Sequence, residues 1–235
     1  SIGQLMAGLR YEHVNSDYYD QGVYSPDHSR TYNQWFPSFS FATQIKKVNL
    51  QLAYSAKTRR PSYNQLGNNV SYVNRFTRQS GNPTLKPTTL HDLSLVTNWK
   101  ILTLVANYSE THNQIMYWNE QDPNDENITT LRYRNFDKLP KISLSLTASP
   151  TIGIWSPQLT LFYQKQWFDI ERLGRKFDLS KPIWGIQMNN SFEFKHNWTI
   201  ESFMQFNSKG ITENTELISN CFNFNCSVRK TFLND

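Results

Sequence analysis

The segment Val48-Asn49-Leu50-Gln51-Leu52-Ala53-Tyr54-Ser55-Ala56-Lys57 changes character at every residue. Val48, Leu50, Leu52, Tyr54 and Ala56 share one parity; Asn49, Gln51, Ala53, Ser55 and Lys57 share the other. Successive side chains of an extended chain point to opposite faces, so this is a strand with one greasy face and one wet face. The pattern returns at Ile142, Leu144, Leu146 and Ala148 against Lys141, Ser143, Ser145 and Thr147. It returns again at Phe222, Phe224, Cys226 and Val228 against Asn223, Asn225, Ser227 and Arg229. In all it places strands at 2–14, 31–45, 48–58, 88–98, 101–118, 130–148, 155–169, 183–195, 198–208 and 215–231.

The connections between these strands alternate in length. Lys46-Lys47, Trp99-Lys100, the stretch 149–154 and His196-Asn197 are short, whereas 15–30, 59–87, 119–129, 170–182 and 209–214 are longer. Every short turn therefore falls at one end of an antiparallel sheet and every long loop at the other, the asymmetry of outer-membrane barrels. Tryptophan supplies an independent check. Trp35, Trp99, Trp155, Trp167, Trp184 and Trp198 all share the apolar parity and sit near strand ends; Trp118 departs from the pattern. Trp155 and Trp167 are twelve residues apart. That is about 40 Å along a strand and about 28 Å along the membrane normal at ~45° tilt, close to the ~25 Å apolar band between aromatic girdles.

Composition narrows the class further. The chain of 235 residues is polar on average, yet carries 15 Phe, 12 Tyr and 7 Trp beside 9 Gly and 10 Pro. No run approaches the ~18 apolar residues of a membrane-spanning helix, so membrane contact falls to strands. Its 24 Lys and Arg against 19 Asp and Glu are scattered, as in Lys46-Lys47 and Arg59-Arg60, without the basic stripe of a nucleic-acid binder. Cys221 and Cys226 are five residues apart in a strand, about 16 Å at ~3.3 Å per residue and on opposite faces, which predicts two free thiols. A soluble β-sandwich that binds carbohydrate also alternates, but its strands average five or six residues and many here exceed ten. The fold class expected is all-β: an antiparallel up-and-down transmembrane β-barrel, in the cell outer membrane, with about ten strands of a larger barrel.

The longest connection runs Lys57-Thr58-Arg59-Arg60-Pro61-Ser62-Tyr63-Asn64-Gln65-Leu66 and closes with Ser80-Gly81-Asn82-Pro83-Thr84-Leu85-Lys86-Pro87 before the strand His91-Asp92-Leu93-Ser94-Leu95. Pro83 and Pro87 fix φ and disfavour helix at the residue before each, making a stiff, extended approach to that strand. Together with Gly8-Leu9-Arg10-Tyr11-Glu12, Trp35-Phe36-Pro37-Ser38-Phe39 and Arg229-Lys230-Thr231-Phe232-Leu233-Asn234-Asp235, these segments resemble the C-terminal barrel half of TonB-dependent receptors, in the outer-membrane β-barrel family common in Bacteroidetes. The resemblance covers essentially the whole chain. It implies energised import of a bulky nutrient such as a siderophore, glycan or peptide, with a plug domain, TonB and a possible surface lipoprotein as partners. It also implies that residues 1–235 are a partial barrel domain, lacking the plug and the final strands.

Catalytic and metal chemistry is not expected, and neither is a cofactor. His13, His28, His91, His112 and His196 show no ligand spacing and read as lone surface or interfacial side chains. Asp27-His28-Ser29 is adjacency without triad geometry. Asp122-Pro123-Asn124-Asp125-Glu126-Asn127 is acidic but lacks a calcium-loop spacing. A complete small outer-membrane barrel acting as a surface protease would need inward Asp and His clusters near the loop end, and none is legible. Function is expected on the polar parity, at Arg10, Glu12, Lys57, Asp92, Glu193, Glu201 and Arg229, where mutual pairing is the competing role. It is also expected on the loops 59–87 and 119–129, where Arg59, Arg60, Tyr63 and Trp118 are the candidate ligand contacts.

Overall fold

The computed structural model describes residues 3–122, 125–172 and 174–232. Ten strands follow one another in a single antiparallel sheet: β1 (Gln4–Ser16), β2 (Arg30–Ile45), β3 (Val48–Arg59), β4 (Thr88–Trp99), β5 (Leu102–Gln121), β6 (Thr129–Ala148), β7 (Trp155–Gln166), β8 (Ile183–Phe194), β9 (Trp198–Asn207) and β10 (Cys221–Lys230). Each pairs with its chain neighbours, and β1 and β10 form the margins without pairing to each other among the described residues. Among the described residues no comparable sheet accompanies this layer, which does not fit the sandwich alternative.

The register shows how the alternation builds two faces. Ser38, Ser55, Asp92, Ser109, Lys141 and Gln166 form one cross-strand rung over β2 to β7. The adjacent rung, facing the other way, is Phe39, Tyr54, Leu93, Tyr108, Ile142 and Lys165. About forty large hydrophobic side chains are exposed, against nine buried hydrophobics among the described residues. Apolar surface of that extent in water would drive association; against acyl chains it is already in its preferred solvent. Trp99, Trp167, Trp184 and Trp198 lie at strand ends with nearly half their surface free, the girdle positions of a barrel wall.

Three of the four short turns are tight without glycine, and the fourth, 149–154, turns through Gly153 at φ 62°. Lys46, Lys100 and His196 each take left-handed φ, at 55°, 52° and 62°. The long loops are less irregular than their sequence suggests. Among the described residues four carry small hairpins, at Tyr19–Asp20 with Val23–Tyr24, Val70–Asn74 with Thr77–Ser80, Asp169–Arg172 with Arg175–Asp178, and Gly210–Thr212 with Thr215–Leu217. Thr77–Ser80 also joins the loop end of β6 in parallel. The strand expected at 215–231 is therefore two elements: Thr215–Leu217 turns back on Gly210–Thr212 through Glu213 at φ 52°, and the wall resumes at Cys221. Likewise 155–169 leaves the wall at Gln166. Alternation marks an extended chain but not the partner it pairs with. The expected strand start at residue 2 and the terminal Leu233-Asn234-Asp235 lie outside the described residues. Cys221 and Cys226 are free and exposed.

If the Leu144 face meets lipid, Leu144→Lys near the midplane lowers stability by about 2–4 kcal/mol, whereas Ser145→Lys on the polar face has a small effect. Denaturant unfolding of the full-length protein in lipid vesicles measures both, and equal effects would contradict the assignment.

Candidate functional site

Above the wall, β5 and β6 continue as a two-stranded ribbon whose faces exchange roles at a kink. Asn113 takes φ 52°, and its carbonyl accepts from Thr88 Oγ1 (2.9 Å) and Asn135 Nδ2 (2.8 Å). Below it, Asp92, Asn107, Ser109 and Thr111 line the polar inner face; above it, Gln114 lines the same cavity. The left-handed residue thus breaks the alternation while the register runs on, Gln114 opposite Phe136 and His112 opposite Lys138, so Met116 and Trp118, on Gln114's parity, turn to the inner side. This is why Trp118 breaks the tryptophan pattern. Its ring meets Phe136 edge-on (5.4 Å), Phe136 meets Phe168 (5.4 Å), and Met116, Leu139 and Phe168 form a buried cluster with Ile170 and Leu179 against it.

The ribbon's other side is held by the Gly81 to Pro87 segment. Asn135 exchanges hydrogen bonds with both backbone groups of Lys86 (2.8 and 3.0 Å), and Asn82 Nδ2 donates to the Tyr133 carbonyl (3.0 Å). Asn82 Oδ1 accepts from the N–H and hydroxyl of Thr84, and Leu85 is buried. Gly81 sits so close to the backbone of Asn64, Gln65 and Gly67 that a Cβ has no room. The motif's structural role is thus explicit: it straps the ribbon and sets the kink.

On the inner side the Gly210–Leu217 hairpin reaches across to β5. Gln166, only 1% exposed, donates through Nε2 to the carbonyls of Leu179 (2.7 Å) and Glu213 (2.8 Å), and its Oε1 accepts from the Glu213 N–H (2.7 Å). Asn214 Nδ2 donates to the Tyr117 carbonyl (2.7 Å), Gln114 to Glu213 Oε1 (3.3 Å) and Gln164 to Thr212 Oγ1 (3.1 Å). Beneath the tip lies a cavity of about 490 Å³ whose charged lining is Lys57, Arg59, Asp92, Lys141 and Glu213. Asp92 is held by Asn107.

The four candidate contacts do not form one site. Arg59 lines the cavity under the hairpin. Arg60 pairs with Glu12, which also holds Arg10 (3.1 Å). Tyr63 lies on the helical turn Tyr63–Leu66, 93% exposed, beside Tyr18 and Tyr19. Trp118 lines a separate aromatic pocket with Ile170, Phe177 and Leu179. Among the other inward candidates, Glu201 pairs loosely with Arg229 (3.8 Å). Of the acidic loop, Asp122 pairs with Arg78 (3.1 Å) and Asp125 caps Asn127; Pro123 and Asn124 lie outside the described residues. His28 Nδ1 meets Ser25 Oγ (2.9 Å), not Ser29, as part of a turn.

His91 and His112 are not lone side chains. Their rings meet edge-on at 5.8 Å on the outward face, with His91 bonded to the Tyr54 hydroxyl (2.9 Å) and Glu110 shared by His112 and Lys138 (both 2.8 Å). Glu110 pairs in register with Pro140, whose carbonyl accepts from the N–H of Trp167 (3.0 Å), so this polar group sits at the loop-side girdle. Cross-strand neighbours of this kind, like Gln166 and Asn113, carry no spacing signal in the sequence.

Two loop groups have shifted titration. Hydrogen bonds from Ser180 hold the Asp178 carboxyl below its ordinary 3.8, and the bond to Glu216 (2.8 Å) lifts Lys181 above its ordinary 10.5. The Asp178 contribution is present above pH 3.8 and lost as pH falls through the lowered value; the Lys181 contribution is present below pH 10.5 and lost as pH rises through the raised one. Protease protection of the Gly210–Leu217 hairpin in the full-length protein is thus expected to be flat from roughly pH 5 to 9, and a step within that window would contradict it. Gln166→Leu leaves three backbone groups unpartnered at about 1–3 kcal/mol each, raising cleavage between residues 208 and 220 by about tenfold or more with the wall intact; unchanged cleavage would contradict the clamp.

A sheet greasy outside, polar inside, girdled by tryptophan and capped at one end by folded loops defines an outer-membrane β-barrel wall. A model of the outer membrane protein beta-barrel family matches residues 4–235, and the chain belongs to that family. It resides in the outer membrane as an antiparallel transmembrane sheet. Solved structures of similar fold include the siderophore receptor PirA from Pseudomonas aeruginosa (14% identity, TM-score 0.66, 98% of this chain and 40% of that one) and the copper transporter OprC (13%, 0.67, 96% and 36%). The ferric enterobactin receptor PfeA from Pseudomonas aeruginosa is also similar (14%, 0.58, 94% and 34%). The chain spans about two fifths or less of these structures. No significant match was found among curated protein sequences.

Proposed function

We propose that the chain is a wall segment of a TonB-dependent outer-membrane receptor of the Bacteroidetes type, which imports a bulky nutrient rather than catalysing a reaction. The observation that carries this reading is the Gly210–Leu217 hairpin pinned by Gln166 across the polar face: a loop folded inward over a charged cavity narrows the route along the inner wall. Likeness to barrels of siderophore and copper receptors, at a third to two fifths of their length, accords with a partial barrel completed by other strands and a plug. TonB would act through such a plug. Exposed Val70, Tyr72, Val73 and Phe76 on the longest loop offer an apolar surface to a lipoprotein on the cell exterior. The cargo classes that fit are a siderophore, a glycan or a peptide.

The test is uptake by cells expressing the full-length protein, with labelled ferric siderophores, oligosaccharides and oligopeptides as probes. Uptake of one class that depends on the protein and stops when an uncoupler collapses the proton gradient supports the proposal. Protein-dependent uptake that persists without the gradient would show a passive pore and overturn it.

A further inference from the structure

On the long-loop end, away from the inner cavity, a pocket of about 460 Å³ opens between the 17–29 loop and the turn Tyr63–Leu66. That volume lies in the ordinary range for small-ligand sites, ~300–1,000 Å³. Its walls are fixed before any ligand arrives. In the first loop the Ser25 N–H donates to the Tyr18 carbonyl (2.8 Å), the Tyr18 N–H to Ser29 Oγ (3.0 Å), and the Tyr18 ring leans on His28 at 5.3 Å. In the second, the Gly67 N–H closes on the Tyr63 carbonyl (2.9 Å), Gln65 Oε1 accepts from the Ser62 N–H (2.9 Å), and the Asn82 N–H donates to the Gln65 carbonyl (2.6 Å). The strap that sets the β5–β6 kink thus also holds this turn.

Rigid backbone here presents rings to solvent. Tyr63 is 93% exposed and Tyr19 59%, although a soluble-side tyrosine gains by covering its ring. Tyr18 lines the same pocket, with Asp17, Gln21 and Asn69 among the polar groups around it. None of the ten lining residues is Lys or Arg, and Asp17 is the one that carries a charge.

That combination selects a ligand chemistry. An anionic cargo would meet Asp17 with no cation to offset it, unlike the inner cavity with Lys57, Arg59 and Lys141. A pyranose presents a flat face of C–H groups and a rim of hydroxyls that both donate and accept. Tyrosine rings suit the face; the carboxamides of Gln21 and Asn69, each with donors and an acceptor, suit the rim. We infer that this pocket is a capture site for a neutral oligosaccharide, with Tyr63 and Tyr19 as its stacking platforms. The inference rests on the import reading and narrows its cargo.

The experiment is calorimetric titration of the detergent-solubilised full-length protein with maltohexaose, cellohexaose and chitohexaose, and with a heparin hexasaccharide and hexaalanine as contrasts. Binding of at least one neutral sugar, weakened by about tenfold or more in Tyr63→Ala and in Tyr19→Ala, is the expected result. Tyr63 is nearly free of packing, so its variant is expected to keep the compact electrophoretic mobility of a folded barrel. Absence of binding by all three sugars, equal binding by folded Tyr63→Ala, or preference for the sulfated or peptide probe would each overturn the assignment. Gradient-dependent uptake of a siderophore or peptide by the same protein, with no sugar binding, would remove the saccharide site while leaving the import proposal standing.

Discussion

The whole structure answers to the absence of water in the hydrocarbon layer. A backbone N–H or carbonyl left unpaired there costs several kcal/mol, so a chain without long apolar helices must pair strand to strand. Registers from Gln4 against Ala42 to Trp198 against Lys230 meet this demand across ten strands. Once the backbone is spent on the ladder, specificity of orientation falls to side chains. A slip of one residue would carry Leu93, Tyr108 and Ile142 to the polar side and Asp92, Ser109 and Lys141 to lipid, which fixes the register firmly.

Where β5 and β6 leave the membrane the constraint reverses, and so does the architecture. Both faces of the ribbon now meet water, and apolar side chains must be covered rather than displayed. The Gly81 to Pro87 strap covers one side and Phe168, Ile170 and Leu179 the other, leaving Leu85, Ile115, Met116 and Phe168 buried. The left-handed Asn113 marks the border, its strain offset by two hydrogen bonds to its carbonyl. A loop motif, a kink and an inward hairpin thus act as one unit, and the same strap steadies the tyrosine pocket.

The wall was legible because lipid imposes a period of two on every spanning residue: β3, β4 and β8 lie within one residue of their expected limits. Trp118, on the parity of Leu104 and Tyr108 in the sequence, faces inward because the alternation breaks at Asn113. The loop hairpins were not legible. Gly210–Leu217 is held by scattered long-range bonds, two with Gln166, one from Gln114 and one to Tyr117, which leave no local pattern. Likewise Arg59, Arg60, Tyr63 and Trp118 were found as loop side chains, but their separation into a cavity, an ion pair and two aromatic pockets depends on how loops pack. Tyr18 and Tyr19, which complete one of those pockets, stand in a different loop from Tyr63.

One parity of each wall strand faces lipid and the other an aqueous interior. This arrangement is tested most directly by single cysteines placed in turn at 141–148 of the full-length protein in bilayers, with Cys221 and Cys226 replaced by serine. Labels at 142, 144, 146 and 148 are predicted to be quenched from the lipid phase, and those at 141, 143, 145 and 147 to react with water-soluble reagent. Equal behaviour of the two parities, or the reverse assignment, would contradict the account.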